Sequence, residues 1–267
     1  AYGVITGNTV TNNIWNKVEH PHEWTAAGIL LAGVGVDKLN SATGKTTTVG
    51  GNILSGNENA LSSGAGGYGY DSNLGLVINA NTFSNNKIHV GLDVAGTTVP
   101  NVSDVYDKRV DNTAQTTWVY GNIQYAIDQA TAGNTLNASA HTFAENVNAH
   151  TSVILNGANA AISCSGSRGT ETVIDGGTGT AVSVLANGVT VAGFTINGAT
   201  GVSDASFEGL VLKNNKINAI ANGISVSGLA TTATDGLTIQ DNCIALSAQL
   251  AGSNPTTGIF LNDISGS

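Results

Sequence analysis

The sequence is short of charged residues, which make up 10% of its 267 positions against about 25% in an ordinary globular domain. Only 9 of them are lysine or arginine, and the formal net charge is −9. Nucleic-acid binding needs clustered basic side chains that neutralise phosphates, so this partner is disfavoured. Apolar residues still reach 41%, which predicts a folded chain with a neutral polar surface rather than a disordered one.

The sequence also lacks methionine and any apolar run near the roughly 20 residues of a membrane-spanning helix. We therefore predict no membrane span. The chain starts at Ala1 within a strand-like pattern, which indicates either a removed signal peptide or a segment of a longer protein. We favour processing and export, and predict an extracellular or cell-surface location.

Cysteine is scarce, with only Cys164 and Cys243 in the chain. On the repeat described below they lie about three repeat units apart, or roughly 14 Å at a strand spacing of about 4.8 Å. That separation is too large for a disulfide, because bridged Cα atoms lie about 4.4–6.8 Å apart. We therefore predict two ordinary small residues.

A short phrase recurs along the chain: glycine, apolar, any residue, apolar, often followed by Asn, any residue, apolar. From Gly188 its longer form returns after 21 and then 27 residues, which suits one turn of a solenoid with two or three short strands. The alternation predicts half-buried strands that must stack to bury their apolar side chains. The copies are GVITGNTVTNN from Gly3, GILLAGVG from Gly28, GNILSGNEN from Gly51, GLVINANTFSNN from Gly75, GVTVAGFTING from Gly188, GLVLKNNKINA from Gly209, GISVSG from Gly223, GLTIQDNCIAL from Gly236 and GIFLNDISG from Gly258.

The recurring Asn of this phrase fits the turn between two strands. There its side chain can bond the equivalent turns of the units above and below. An alternative is that these Asn side chains bind sugar. We predict the internal ladder.

The stretch from Trp118 to about Gly198 resembles the pectin-lyase-like family of parallel β-helix proteins. Its segments YGNIQYAIDQATAGNTL, HTFAENVNAHTSVILNGAN, TVIDGG and NGVTVAGFTING follow the order of a capping helix, a strand and the first coils in that family. The resemblance implies an all-β, right-handed parallel β-helix with one short capping α-helix in mid-chain, and implies little about function. Four apolar residues have the spacing of one helix face: Ile123, Ala126, Ile127 and Ala130.

The predicted capping helix divides the chain, because such a cap belongs at the N-terminal end of a β-helix. Residues 1–100 are predicted as C-terminal-type coils of one β-helix. Residues 118–267 are predicted as the capping helix and N-terminal-type coils of a second. Residues 101–117 break the repeat and are predicted to be an irregular charged linker. Both outer ends would then be bare.

Two bare ends predict that another copy of the chain completes each β-helix, head to tail. Such a heterologous contact repeats without closing and yields a filament. The joint would be strand addition to an open edge, as in donor-strand complementation, although a covalent tandem array gives the same pattern. We predict a structural subunit of an extracellular filament or surface polymer, not an enzyme, with no cofactor. The predicted interface residues, taken to face inward, are Val4, Ile5, Val10, Ile259, Leu261 and Ile264.

The most enzyme-like motif is EHPHE. His20 and His22 would point the same way on a strand, and Glu19 or Glu23 could complete a metal site. The motif also resembles the Asp-Pro-His-Glu motif of alginate epimerases, but His20 stands where that family has Asp and the neighbouring Tyr is missing. We favour a plain loop at residues 15–25 and keep His20, His22 and Glu23 as metal candidates.

Two other functions stay open beside the filament. One is a polysaccharide lyase or epimerase, although we find no cluster of Asp residues with a nearby base, which lyase chemistry needs. The other is a carbohydrate-binding adhesin or tailspike-like protein, with surface glycans as partners. Sequons at Asn101 and Asn137 permit glycosylation of an exported chain. The candidates for stacking on sugar are Trp15, Trp24, Trp118, Tyr68 and Tyr70.

Overall fold

The computed structural model describes residues 3–13, 27–31, 47–57, 59–63, 76–92, 103–116, 118–228, 236–247 and 256–262. Within these ranges the chain is all-β, as predicted, with mostly parallel sheets and a single short helix. No helix in the described part is long and apolar enough to cross a membrane. The chain forms two compact units, the first comprising Ala1–Asp111 and Gln115–Asn122, the second Asn112–Ala114 and Ile123–Ser267.

The first unit contains strands in groups of three, which we call rungs. Each strand pairs in parallel with the corresponding strand of the next rung, giving the series β1–β4–β7, β2–β5–β8 and β3–β6–β9. Rung 1 is β1 (Val4–Thr6), β2 (Thr9–Thr11) and β3 (Ala27–Leu31); rung 2 is β4 (Thr47–Gly50), β5 (Ile53–Ser55) and β6 (Asn59–Ser63); rung 3 is β7 (Leu76–Asn79), β8 (Thr82–Ser84) and β9 (Ile88–Leu92).

Three short strands follow rung 3 in the first unit. β10 (Val105–Tyr106) pairs in parallel with β8. β12 (Trp118–Tyr120) pairs antiparallel with both β9 and β11 (Val110–Asn112). The segment predicted to be an irregular linker therefore contains two strands. The reason is packing, since the Tyr106 ring stacks on buried Phe83 with centroids 5.1 Å apart.

The second unit contains α1 (Ile123–Asp128) and five further rungs, all paired in parallel. In rungs 6 and 7 one long strand replaces the second and third strands. Rung 4 is β13 (Thr135–Ala138), β14 (Thr142–Phe143) and β15 (Val147–Ala149); rung 5 is β16 (Ile154–Asn156), β17 (Thr172–Asp175) and β18 (Thr180–Val184); rung 6 is β19 (Thr190–Ala192) and β20 (Phe194–Ala205); rung 7 is β21 (Val211–Lys213) and β22 (Lys216–Ser227); rung 8 is β23 (Thr238–Gln240), β24 (Cys243–Leu246) and β25 (Thr257–Asn262).

Parallel pairing places like side chains in columns, because register partners face the same side of a sheet. In the second unit Val182, Val202 and Ile224 lie in one register column, and all are fully buried. Each fully buried side chain of this size contributes roughly 1.5–3 kcal/mol. The columns therefore supply the apolar cores that a single rung cannot form.

Helix α1 confirms the helix predicted from apolar spacing. Ile123, Ala126 and Ile127 are its buried residues. The first amides of a helix have no partner within it, and here the Glu145 carboxylate accepts hydrogen bonds from the amides of Ile123 (2.8 Å) and Gln124 (2.9 Å). A negative charge at this end of a helix is favourable, so Glu145 fixes where α1 begins.

The prediction that Cys164 and Cys243 are unpaired is wrong, because they form a disulfide with Cα atoms 5.5 Å apart. Residues 157–171, which we call the strap, join β16 to β17 without turning directly. The strap runs past successive rungs: the Asn159 amide donates to the Gly193 carbonyl, and the Cys164 amide donates to that of Asp241. This path carries Cys164 from rung 5 to rung 8, which a count of repeat units could not anticipate.

A charged cluster holds the far end of the strap. Arg168, whose side chain is 1% exposed, pairs with Glu171 at 2.8 Å. Lys216 of β22 pairs with the same carboxylate at 3.0 Å. Hydrogen bonds from Arg168, together with Lys216, lower the pKa of Glu171 to about 2. Sequence reasoning missed this cluster because Lys216 lies 45 residues from Glu171.

Candidate subunit interface

Eight turns beside strands share a two-residue pattern. The first residue has a left-handed backbone, as at Gly7 (φ +69°) and Ala80 (φ +52°), and the second is Asn. This conformation is easiest for Gly and tolerated by Asn and Asp, which explains most of the residues found there. The pairs are Gly7–Asn8, Asn12–Asn13, Gly51–Asn52, Gly56–Asn57, Ala80–Asn81, Asn85–Asn86, Asn214–Asn215 and Asp241–Asn242.

The Asn side chains between the first and second strands of rungs 1 to 3 form a ladder. Asn52 Oδ1 accepts hydrogen bonds from the amide (3.0 Å) and the Nδ2 (2.9 Å) of Asn8. Asn81 Oδ1 accepts the same pair from Asn52, at 3.1 and 3.0 Å. The other Nδ2 proton of Asn52 goes to the carbonyl of Ile5 (2.9 Å). The predicted internal ladder is thus confirmed.

A parallel ladder lies between the second and third strands of the same rungs. Asn57 Oδ1 accepts from Asn13, and Asn86 Oδ1 accepts from Asn57, again from amide and Nδ2. Asn86 Nδ2 lies 3.3 Å from Nδ1 of buried His89, whose Nε2 lies 2.7 Å from the Lys108 carbonyl. Burial lowers the pKa of His89 to about 4, so the neutral ring accepts from Asn86 and donates to the carbonyl.

The second unit has a shorter ladder between the first and second strands of rungs 7 and 8. Asn242 Oδ1 accepts from the amide and the Nδ2 of Asn215, both at 3.0 Å. Asn242 Nδ2 donates to the Leu212 carbonyl at 2.8 Å. Rung 6 has Phe194 in place of the Asn, and its amide donates to Asn215 Oδ1 at 3.0 Å.

All three ladders point the same way along the chain, with donors toward the following rung and Oδ1 toward the preceding one. At rung 1, no described residue donates to the Oδ1 of Asn8 or Asn13. At rung 8, no described residue accepts from the amide of Asn242 or from its second Nδ2 proton. The ladders therefore leave free acceptors at rung 1 and free donors at rung 8, within the described residues.

The first ladder of the first unit ends differently. Asp104 takes the Asn position, and its Oδ1 accepts from the amide (2.9 Å) and the Nδ2 (3.3 Å) of Asn81. The Asp104 side chain lacks the Nδ2 protons, one of which Asn passes to the next rung. Its Oδ2 is buried with no partner among the described residues, and this burial raises the pKa of Asp104.

The predicted interface residues of rung 8 face the interior column and yet are exposed. Ile259 and Leu261 are 45% and 49% exposed, whereas their register partners in β22, Ile224 and Val226, are fully buried. Ile264 lies outside the described residues. The exposure arises because, within the described part of the chain, β25 has a neighbour on one side only.

Rung 1 presents the matching face, with one correction. Ile5 and Val10 are partly buried against the core of the first unit, in register with buried Val49 and Leu54. Val4 was predicted to face inward too, but it is 72% exposed. Side chains alternate along a strand, so Val4 and Ile5 cannot both face the core.

The other predicted site residues are not brought into one site. His20, His22 and Glu23 lie outside the described residues. Trp118 stacks with Tyr120 at 6.0 Å. In the described ranges, no group of three or more His, Cys, Asp and Glu residues could hold a metal ion. Four of the stacking candidates also lie outside the described residues: Trp15, Trp24, Tyr68 and Tyr70.

Sequence reasoning missed two features of this interface. One is the direction of the ladders, which needs the hydrogen-bond pattern. The other is Asp104 as a ladder end. An alignment of Ser103–Val105 with Ala80–Thr82 could have found it, because the strands that follow these two turns pair in the sheet. Comparisons with models of protein families, with curated proteins and with solved structures found no match to this chain.

Proposed function

We propose that the chain is a structural subunit of an extracellular filament or surface polymer, in which copies join head to tail. In this proposal the rungs are coils of a right-handed parallel β-helix of the pectin-lyase-like kind, and each copy completes the β-helix of its neighbour. The observation that carries the proposal is that rungs 1 and 8 expose side chains whose register partners are buried.

The apolar contacts supply one driving force. In the joint, Ile5 and Val10 of one copy and Ile259 and Leu261 of the next would all lose their exposure to water. Full burial of each side chain contributes roughly 1.5–3 kcal/mol. The partial burial of Ile5 and Val10 already uses some of that gain, so the lower end of the range applies to them.

The strand edges supply a second driving force. Within the described residues, β1 and β2 pair on one side only, and so do β24 and β25. Each backbone hydrogen bond completed across the joint adds about 1 kcal/mol net. An open edge is a template for further strands, and a head-to-tail contact of this kind repeats without closing.

The disulfide supports the extracellular part of the proposal. Disulfides form and persist in oxidising environments such as the cell exterior. The Cys164–Cys243 bridge joins the strap to β24, beside the edge at which the next copy would add.

The test places charge inside the joint and, in matched variants, one residue away. Ile259→Asp should leave single subunits or short oligomers, because it buries an unpaired carboxylate in the joint. Phe260→Asp is the control, since Phe260 lies in the same strand on the opposite face. Ile5→Lys and its control Val4→Lys test the other face. Sedimentation velocity and negative-stain electron microscopy measure assembly.

Two outcomes would contradict the proposal. Long filaments of Ile259→Asp or Ile5→Lys would show that the joint lies elsewhere. A stable monomer of the unaltered chain would reject the filament altogether, and saturable glycan binding by that monomer would favour the adhesin. An intact-mass measurement of the polymer's chains separates joined copies from a covalent tandem array.

A further inference from the structure

We infer that Asn242 of one copy and Asn8 of the next continue a single asparagine ladder across the joint, and that this pair sets the register and selects the partner. The inference rests on the proposed function. It extends the proposed function by assigning partner selectivity to two polar residues. Apolar contacts alone would permit shifts in strand register.

Donors and acceptors match at the two ends. At each asparagine-to-asparagine step, one Oδ1 accepts two hydrogen bonds, from an amide and from an Nδ2. Asn242 has those two donors without an acceptor among the described residues. Asn8 has an Oδ1 with two lone pairs and no described donor. Joining them reproduces a step that the chain already makes in both units.

The position within the rung selects Asn8 over Asn13. Asn242 lies between the first and second strands of rung 8, and Asn8 lies between the first and second strands of rung 1. Asn13 lies between the second and third strands, where rung 8 presents no described Asn turn. Any other register would bury the Asn242 donors without acceptors, which is unfavourable.

The same chemistry identifies the occupant as a second copy of this chain. An open strand edge accepts any extended segment. The ladder accepts only a rung that presents an Oδ1 at the turn between its first two strands, which rung 1 does. Donor–acceptor complementarity therefore favours the chain's own rung 1 over an unrelated strand.

The test is Asn242→Asp. The carboxylate keeps the acceptor for Asn215, as at Asp104, but loses the hydrogen bond from Asn242 Nδ2 to the Leu212 carbonyl. Protection of β21 and β22 against hydrogen exchange therefore has to show that the variant is folded. It removes the Nδ2 donor and places an oxygen opposite Asn8 Oδ1. We expect the critical concentration for filament growth to rise roughly tenfold or more, the effect of losing one hydrogen bond and adding a repulsion. Asn137→Asp, the same charge change at an exposed residue of β13, should assemble like the unaltered chain.

A second pair of variants addresses the other face and does not depend on how Asn242→Asp folds. Asn8→Ala removes the exposed acceptor and should impair growth. Asn13→Ala removes the equivalent acceptor of the neighbouring ladder and should leave growth within about twofold of the unaltered chain, because no described donor of rung 8 faces it. Asn242→Asp subunits retain an intact rung 1, so small amounts should add to growing filaments and shorten them.

The outcomes separate the inference from the proposed function. Normal growth of folded Asn242→Asp and of Asn8→Ala would overturn the inference, while Ile259→Asp still blocking growth would leave the head-to-tail joint standing. Equal impairment by Asn8→Ala and Asn13→Ala would also overturn the assigned register. An unaltered chain that never assembles would overturn both.

Discussion

The ladders of the two units end on different residues, and the difference is one chemical group. In the first unit the ladder stops at Asp104, whose neighbouring strand β10 and the antiparallel β12 occupy the edge after rung 3. In the second unit it stops at Asn242, beside strands with a free edge in the described part of the chain. A carboxylate ends a ladder because it only accepts, and an amide leaves it open because it also donates.

The two units also differ in how they handle buried polar groups. The first unit pairs its buried Asn side chains almost completely and buries His89 in the neutral state. The second buries Asp204 in the apolar column of Val184 and Val226, where its Oδ2, like that of Asp104 in the first unit, has no partner among the described residues. The second unit also contains the Cys164–Cys243 cross-link, and the first unit has no cysteine with which to form one. Similar rungs are therefore stabilised by different means in the two units.

The largest expected effect is a loss of stability in the second unit when its disulfide is removed. Replacing both Cys164 and Cys243 with Ser should destabilise the second unit by about 4 kcal/mol, because the bridge closes a long loop. The first unit contains neither cysteine and should be unaffected. Hydrogen exchange followed by mass spectrometry reports each unit's strands separately. Ser165→Ala, on the exposed part of the strap, is the control; equal loss in both units would contradict the comparison.

The next effect concerns acid and the first unit. Burial holds the pKa of His89 near 4, below its ordinary value of 6.5. Above pH 6.5 the ring is neutral in the folded and in the unfolded chain, so His89 does not reduce the free energy of unfolding. Between pH 6.5 and about 4 only the unfolded chain takes up the proton, so stability falls, by up to about 3 kcal/mol.

The check is the protection of β9 against exchange between pH 7 and 4. His89→Gln does not titrate and should flatten this loss, although it lowers stability at pH 7 through altered packing. An unchanged acid loss in that variant would assign it to other groups.

The smallest effect has the opposite sign and belongs to the second unit. Burial raises the pKa of Asp204 from 3.8 to about 6. Below pH 3.8 the carboxyl is neutral in the folded and in the unfolded chain, so Asp204 does not reduce the free energy of unfolding. Between pH 3.8 and about 6 only the unfolded chain ionises, so the free energy of unfolding falls by about 2–3 kcal/mol as the pH rises through this range, and it levels off above pH 6. Asp204→Asn should remove this dependence, measured as exchange in β20; the same slope in both proteins would refute it.

Much of the local structure follows from the sequence alone. Apolar alternation and glycine punctuation are local patterns, so they predicted short strands, parallel pairing of repeats and Asn-lined turns. The spacing of Ile123, Ala126 and Ile127 predicted α1, because a helix face is determined by residues three and four apart. Ile259 and Leu261 were predicted to be inward-facing from the same alternation, and they are in register with the buried Ile224 and Val226.

How distant parts of the chain meet depends on tertiary contacts that local sequence patterns do not contain. The strap brings Cys164 to Cys243 across 79 residues, and no local pattern encodes that path. Val4 faces outward because its pairing with Thr48 determines which residues of β1 face the core. Two consecutive apolar residues in the sequence do not show which of them faces inward. Asp104 ends a ladder, and Asp204 interrupts a column, only because parallel pairing places each against particular residues of another rung. A hydrogen bond has a direction that a residue name does not carry, so the open donors of Asn242 became evident only from the folded chain.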